Sequence, residues 1–353
     1  RACVGEKLEP HVELAEFTIN ESLESILEGI WKRQPKVIGF SCYIWNWKLI
    51  REILTELPKI LPDTEIWLGG PEVTYDGPGL LREFPQVTGI MVGEGEVTFR
   101  EVLEQYLREA ETAGQSEQQP ESDSTEHQVA DRRGTVAGKS MVERFGQIPG
   151  LCLASGYTAP RDLTDLTTLP FLYEDMEPFT NRIIYYETSR GCPYRCSYCL
   201  SSIDKKVRLR DISVVKRELQ FFLDQNVKQV KFIDRTFNCD HKHAMEIWRY
   251  IYEHDNGVTN FHFEISADIL REEEIALLNR FRPGLAQLEI GVQSTNTDTI
   301  REIRRTMRLE EVREHVASYS PCHGCGQAGE NCCGHSQRTE YSSASGSDRR
   351  AAL

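Results

Sequence analysis

A surplus of positive charge is missing from this 353-residue chain: 41 Lys and Arg stand against 55 Asp and Glu, a formal net charge of -14. Binding nucleic acid needs a basic face to neutralise phosphates, so the charge offers no evidence for such a partner. Long apolar runs are missing too. None approaches the roughly 18 to 20 residues that span a bilayer, so no membrane partner is expected. No signal peptide precedes the first strand-like stretch, and the chain opens on Arg1 rather than Met, so its true start is expected upstream. An even cysteine count is also absent. Eleven cysteines without a secretory signal read as metal-binding or catalytic thiols in a reducing, cytoplasmic compartment rather than as disulfides.

Two stretches, residues 110 to 140 and the segment from Ala317 onward, hold almost no large apolar side chains. Residues 109–147 are expected to form a disordered polar linker, rich in Glu, Gln, Ser, Asp and Gly around Gln115 to Pro120. From Ala317 onward the only Leu, Ile, Val or Phe is Leu353, so residues 317–353 cannot bury a core. This low-complexity tail carries Cys322, Cys325, Cys332 and Cys333 beside His323. A metal site there is the lesser reading. The loss of aliphatics where a further strand is due points to an out-of-frame translation.

Between these gaps the pattern is regular. Over residues 1–108, apolar strands at Val12 to Thr18, Lys36 to Ser41, Glu65 to Leu68 and Gly89 to Val92 alternate with amphipathic helices, the first capped by Asn20 and the last running from Val97 to Leu107. Such alternation builds a doubly wound, Rossmann-like α/β domain, here missing its first strand. Ligands of such sheets sit beyond the carboxyl ends of the strands. The loops there are Ser41 to Asn46, Gly69 to Glu72 and Gly93 to Glu96. Singly each is a tight turn; three on one edge favour a binding surface.

Residues 148–180 read as a connecting segment. Over 181–316 four strand-helix units follow, with strands at Arg182 to Glu187, Gln229 to Asp234, Asn260 to Ser266 and Leu285 to Gln293. Their helices are expected near Ile212 to Gln225, His241 to Glu253, Glu272 to Arg280 and Thr297 to Val316. The later strands alternate polar residues (His262, Glu264, Ser266; Gln287, Glu289, Gln293) with apolar ones. A strand buried on both faces would be apolar throughout. A polar face therefore predicts a partial barrel whose lumen is a reaction chamber.

Directly after the first of these strands comes Thr188-Ser189-Arg190-Gly191-Cys192-Pro193-Tyr194-Arg195-Cys196-Ser197-Tyr198-Cys199, with C-x3-C-x2-C spacing. Three thiolates on one loop can bind three corners of a cubane, leaving its fourth iron open. A zinc site is the alternative, but structural zinc usually takes four ligands from two paired elements, and no second pair lies nearby. This spacing, with Tyr198 before the last cysteine, resembles the signature of the radical S-adenosylmethionine (SAM) superfamily. The resemblance implies a partial (βα)6 TIM-like barrel, truncated here at its C-terminus. It implies a 4Fe-4S cluster on Cys192, Cys196 and Cys199, with SAM on the open iron. One electron would then cleave SAM to a 5′-deoxyadenosyl radical, with the protein positioning the reactants. A donor such as flavodoxin or ferredoxin is implied. The SAM contacts carried over are Tyr198, Asp234 at the end of the second strand, Glu264 ending the third, and Gln293 and Ser294 after the fourth. The usual Gly-Gly-Glu is absent. For these polar residues an internal hydrogen-bond network is the competing role.

The order of the two domains is similar to that of radical SAM enzymes with an N-terminal cobalamin (B12)-binding domain. Ser41, Trp45, Gly70, Pro71, Glu94, Gly95 and Glu96 then become the implied corrinoid contacts. No Asp-x-His-x-x-Gly occurs, so no lower axial histidine is evident. The implied activity is methyl transfer to an unactivated carbon of a small-molecule or peptide substrate. The alternatives are a methylthiotransferase-like or other radical SAM enzyme without functional cobalamin, and a non-enzymatic iron-sulfur or metal-binding protein.

Overall fold

The computed structural model describes residues 2–116, 140–204 and 206–319. The middle of the expected linker and the cysteines of the tail lie outside the described residues. The chain divides into two compact units, Arg1–Thr164 and Asp165–Leu353.

The first unit is built on a sheet in the order β1 (Val37–Ser41), β2 (Glu65–Gly69), β3 (Val87–Met91), β4 (Leu151–Leu153) and β5 (Gly156–Tyr157). The first three strands run parallel, and β4 and β5 turn back antiparallel. Helices α1 (Leu23–Arg33), α2 (Trp47–Ile60), α3 (Gly77–Glu83) and α4 (Gly95–Ser116) connect or flank them. The apolar stripe of α2, Ile50, Ile53, Leu54 and Leu57, is buried with Ile66, Leu68 and Ile90 of the sheet. Burial of this kind, worth about 25 cal/mol per Å², holds helix to sheet.

Four expectations change here. Val12 to Thr18 forms no strand: Leu14 stays 72% exposed, while Arg33 bonds Glu13 and lies 5.8 Å from the Phe17 ring. A strand needs a neighbour to satisfy its backbone groups, and among the described residues no strand pairs with this segment. The cap of α1 is Ser22, whose hydroxyl accepts the Ser25 N–H; Asn20 lies in the preceding turn. Helix α4 continues beyond Leu107 to Ser116, because Ala, Glu and Gln favour helix even without an apolar stripe. Leu151–Leu153 joins the first sheet rather than serving as connection. Behind it α5 (Met141–Phe145) seats Arg144, its side chain fully buried, on the carboxylates of Glu65 and Glu109. Tyr106 donates to Glu65 at 2.6 Å, so the carboxylate is held by hydrogen bonds as well as charge.

The second unit carries four parallel strands in spatial order β11 (Ala286–Ile290), β10 (Asn260–Ile265), β9 (Gln229–Phe232) and β6 (Ile184–Tyr186). A two-stranded ribbon, β7 (Ser189–Arg190) with β8 (Arg208–Leu209), stands beside them. Helices α6 (Ile212–Asp224), α7 (His241–Glu253) and α8 (Glu272–Leu278) fill the crossovers. An aromatic core of Phe222, Phe232, Phe237, Trp248, Phe261 and Phe263 lies between sheet and helices. The strands run in sequence order across the sheet, as in the first part of a (βα) barrel. The single helix expected over Thr297 to Val316 is broken into α9 (Thr297–Glu302) and α10 (Leu309–Ser318). At the break Arg304 adopts a left-handed φ of 54°, incompatible with continued α-helix.

Candidate functional site

The loop from Gly191 to Asp204 is held from both sides before any ligand is considered. Gly191 has φ +99°, and a Cβ there would stand 2.5 Å from the Lys206 carbonyl oxygen, so only glycine lets the loop leave β7. The Cys192 N–H donates to Asp204 O at 3.0 Å, and the Ser197 N–H to Ile303 O at 2.9 Å. Cys192 and Cys196 are buried and Cys199 is partly so. The Cys192 sulfur lies 3.6 Å from Thr236 Oγ1. Among the described residues no three His, Cys, Asp or Glu side chains converge on one point as a single ion requires. A cubane makes no such demand, since each thiolate takes a different iron. Three thiols on one anchored loop suit that demand, which makes Cys192, Cys196 and Cys199 the candidate holders of a cluster.

Asp234 sits behind this loop. It is buried, and its carboxylate accepts from Thr188 N–H at 3.1 Å, Thr188 Oγ1 at 2.7 Å and Ser189 Oγ at 2.6 Å. Burial pushes its carboxyl up to about 6 against the pull of these donors. The carboxylate thus ties the end of β9 to the residues that lead from β6 into the cysteine loop. That is the internal-network role, and it makes Asp234 a positioning group. Asn238 does the same one strand further on: its side chain donates to Ser266 O and accepts the Ser266 N–H, both at 2.9 Å.

Glu264 and Glu289 are paired across β10 and β11. Lys231 Nζ reaches both, at 3.7 and 3.2 Å, and His262 Nε2 lies 3.0 Å from Glu289. Burial, then the neighbouring Glu289, holds the Glu264 carboxyl above its usual range, and burial followed by Lys231 lowers His262. The polar strand faces therefore meet as one charged cluster. Gln293 is exposed in a left-handed conformation, φ 63°, and Ser294 Oγ accepts the Asn296 N–H at 3.1 Å ahead of α9. Tyr198 is half exposed, and the Arg305 guanidinium approaches its hydroxyl at 3.5 Å and the Cys196 sulfur at 3.9 Å.

In the first unit the three expected loops do share the carboxyl edge of β1, β2 and β3. Gly70, at φ +104°, lies so close to β1 that a Cβ would stand 2.6 Å from Cys42 O. After β1 the Asn46 side chain bonds Ser41 O and the Tyr43 N–H, closing a turn on which Tyr43 and Trp45 stack at 4.5 Å. Ile44 and Trp45 are 79% and 63% exposed. Above Gly93 and Gly95 an added Cβ would meet nothing within 4 Å. An exposed apolar turn and open glycines on one sheet edge suit a large flat ligand. Pro71, Gly95 and Glu96 are partly buried on this edge, whereas Glu94 spends its carboxylate on the Thr164 N–H at 2.7 Å.

Several of these roles were not readable from the sequence. Thr188, Ser189 and Thr236 flank the expected motif residues, but nothing in their types reveals a shared carboxylate. Arg305 fell inside an expected continuous helix, where an arginine is ordinary surface.

A parallel half barrel with three thiols on the loop after its first strand, and a separate Rossmann-like unit before it, define a two-domain iron-sulfur class. The comparisons agree. The B12 binding domain family matches residues 3–103, and the Radical SAM superfamily matches residues 186–320. The chain therefore carries a B12-binding domain followed by a radical SAM domain, the domain types that take cobalamin and, together with SAM, a 4Fe-4S cluster. It is 28% identical over 228 residues, 62% of this chain and 29% of the relative, to a 2-(S-pantetheinyl)-carbapenam-3-carboxylate methyltransferase of Streptantibioticus cattleyicolor. It is 26% identical to the cobalamin-dependent radical SAM methyltransferase TokK of Streptomyces tokunonensis, over 58% of this chain and 28% of that one. An anaerobic magnesium-protoporphyrin IX monomethyl ester cyclase of Rubrivivax gelatinosus is 22% identical over 85% of this chain and 51% of its own length. The chain thus spans about half or less of these relatives. Among solved structures, the methyltransferase TsrM of Kitasatospora setae, with cobalamin and a [4Fe-4S] cluster bound, covers 84% of this chain and 57% of its own at TM-score 0.58 and 16% identity, a likeness of fold. No helix among the described residues is long and apolar enough to cross a membrane.

Proposed function

We propose that this protein is a cobalamin-dependent radical SAM methyltransferase acting on an unactivated carbon of a small-molecule or peptide substrate. The observation that carries the reading is the anchored loop of Cys192, Cys196 and Cys199 at the end of a parallel half barrel, on a chain that also supplies a B12-binding domain. When bound, the cluster supplies one electron for reductive cleavage of SAM, and cobalamin a carrier for a methyl group. The chain's own residues do the rest. The three cysteines hold the cluster. Asp234, through Thr188 and Ser189, sets where their loop begins. Tyr198, Glu264, Gln293 and Ser294 are the proposed SAM contacts. Glu264 keeps one side on Lys231, which orients it. Ser41, Trp45, Gly70, Pro71, Gly95 and Glu96 are the proposed corrinoid contacts, and Glu94 shapes their edge. An electron donor of the flavodoxin or ferredoxin type, in a reducing cytoplasm, completes the proposal.

The test is anaerobic. Reconstituted protein with reductant and SAM is expected to release 5′-deoxyadenosine and to retain hydroxocobalamin through gel filtration with a shifted visible spectrum. Cluster-loaded protein that leaves SAM intact would sink the radical reading. Loss of all cobalamin on the column, with SAM still cleaved, would move the protein to radical chemistry without the corrinoid. The similarity to a cyclase over most of the chain favours ring formation as the second reading, and product analysis with the substrate separates the two.

A further inference from the structure

Arg305 occupies a place that no cofactor contact explains. It lies in the break between α9 and α10, where its N–H bonds Ile300 O at 3.1 Å. From there its side chain turns back toward the cysteine loop. One terminal nitrogen donates to the Gly291 carbonyl, just past β11, at 2.6 Å. The other stands 3.9 Å from the Cys196 sulfur and 3.5 Å from the Tyr198 hydroxyl. Among the described residues its Nε is buried without a hydrogen-bond partner. The same break supplies Ile303 O to the Ser197 N–H, so the cysteine loop and the arginine are held to one another through backbone and side chain together.

A guanidinium cannot be deprotonated in a protein and presents donors in a rigid fork. Here both arms of the fork are already engaged: one by a backbone carbonyl, the other by the middle cysteine and its neighbouring tyrosine. The group is thus a fixed positive charge beside one thiolate of the triad, in a partly desolvated place where charge acts more strongly than in water. Reduction of a cluster adds one negative charge. A neighbouring cation and hydrogen bonds to a ligating sulfur both favour the reduced form, since net charge, sulfur hydrogen bonding and exposure set cluster potentials.

We propose that Arg305 is a positioning residue that raises the reduction potential of the cluster, by holding its guanidinium against Cys196 while pinning the loop to Gly291. This rests on the reading of the triad as the cluster site. It makes the break at Arg304, rather than a longer helix, part of the electron-accepting apparatus.

The experiment is an EPR-monitored redox titration of the reconstituted full chain, wild type against Arg305→Gln and Arg305→Lys, with SAM affinity measured in parallel. Arg305→Gln is expected to shift the reduced-to-oxidised ratio about tenfold toward oxidised at a given potential, which for one electron is about 59 mV. Arg305→Lys keeps the charge and is expected to recover most of that shift. SAM affinity is expected to stay within about twofold. An Arg305→Gln cluster with the wild-type potential overturns the proposal. So does an equal shift in both variants, which would remove charge as the agent, and so does a loss of SAM affinity without a change of potential. If Arg305→Gln takes up no cluster, Arg305→Lys decides: a cluster at near wild-type potential supports the proposal, and no cluster in either assigns Arg305 to folding of the loop and overturns it. Wild-type protein that takes up no cluster would instead sink the reading of the triad.

Discussion

The two units present their candidate sites by different physical means. On the first sheet the edge is shaped by backbone: Gly70 lies where a side chain would strike Cys42, Gly93 and Gly95 leave open space, and Ile44 and Trp45 are exposed. In the half barrel the loop is shaped by buried polar side chains, with Asp234 on Thr188 and Ser189, and Asn238 on Ser266. A surface made of glycines and an exposed indole can accept a broad ligand with little local cost. A loop that must set three sulfurs around a cluster needs fixed directions, and hydrogen bonds in a low-dielectric interior supply them. Substitutions should therefore fail differently in the two units.

The largest effect should come from the triad. Replacing any one of Cys192, Cys196 or Cys199 with Ala is expected to abolish SAM cleavage and most iron uptake, while hydroxocobalamin retention stays unchanged. Iron content and visible spectra read both, and coupled loss of corrinoid would break the contrast between the units. Asp234→Ala strips the acceptor from buried donors and is expected to lower the stability of the second unit by about 1 to 3 kcal/mol in urea denaturation. A drop well below that would show the network to be solvated.

Asp234 also predicts a pH dependence. Its folded carboxyl titrates near 6, above the range of an unfolded aspartate, so between about 4 and 6 the folded chain binds more protons than the unfolded one. Stability from this group is therefore present at the acid end and is lost as pH rises through about 6. Asp234→Asn should flatten that part of the profile. Unchanged slope in the variant would assign it to other groups.

Gly70→Ala forces a side chain into a left-handed position against Cys42 O and should destabilise the first unit by about 1 to 3 kcal/mol, with corrinoid retention falling as the edge distorts. Thermal melting of the protein and its column-bound cobalamin test this together. Trp45→Ala should be the mildest. An exposed side chain contributes little to folding, within about 0.5 kcal/mol, but loss of its contact should weaken hydroxocobalamin binding about tenfold, or roughly 1.4 kcal/mol. Equal loss of stability and binding would deny the first edge its rigid-backbone character.

Much of this was legible in the chain itself. Periodicity placed β1, β2, β3, β6, β9, β10 and β11 and most helices, because an amphipathic helix and a buried strand each impose a local repeat. The cysteine spacing marked the candidate cluster loop, since three thiols close in sequence can reach one cluster from a single segment. What the sequence could not determine depends on contacts distant along the chain. Val12 to Thr18 has the residue pattern of a strand, yet among the described residues no strand pairs with it. Leu151–Leu153 enters the first sheet only because β3 is there to receive it. Asp234 carries the type of a ligand contact, but three donors from forty-odd residues away turn it into a brace, and Arg305 reaches Cys196 only because the chain breaks at Arg304. Residue type and spacing are local and readable. Which polar atoms meet in the interior is settled by packing, where each buried donor must find whatever acceptor the fold brings to it.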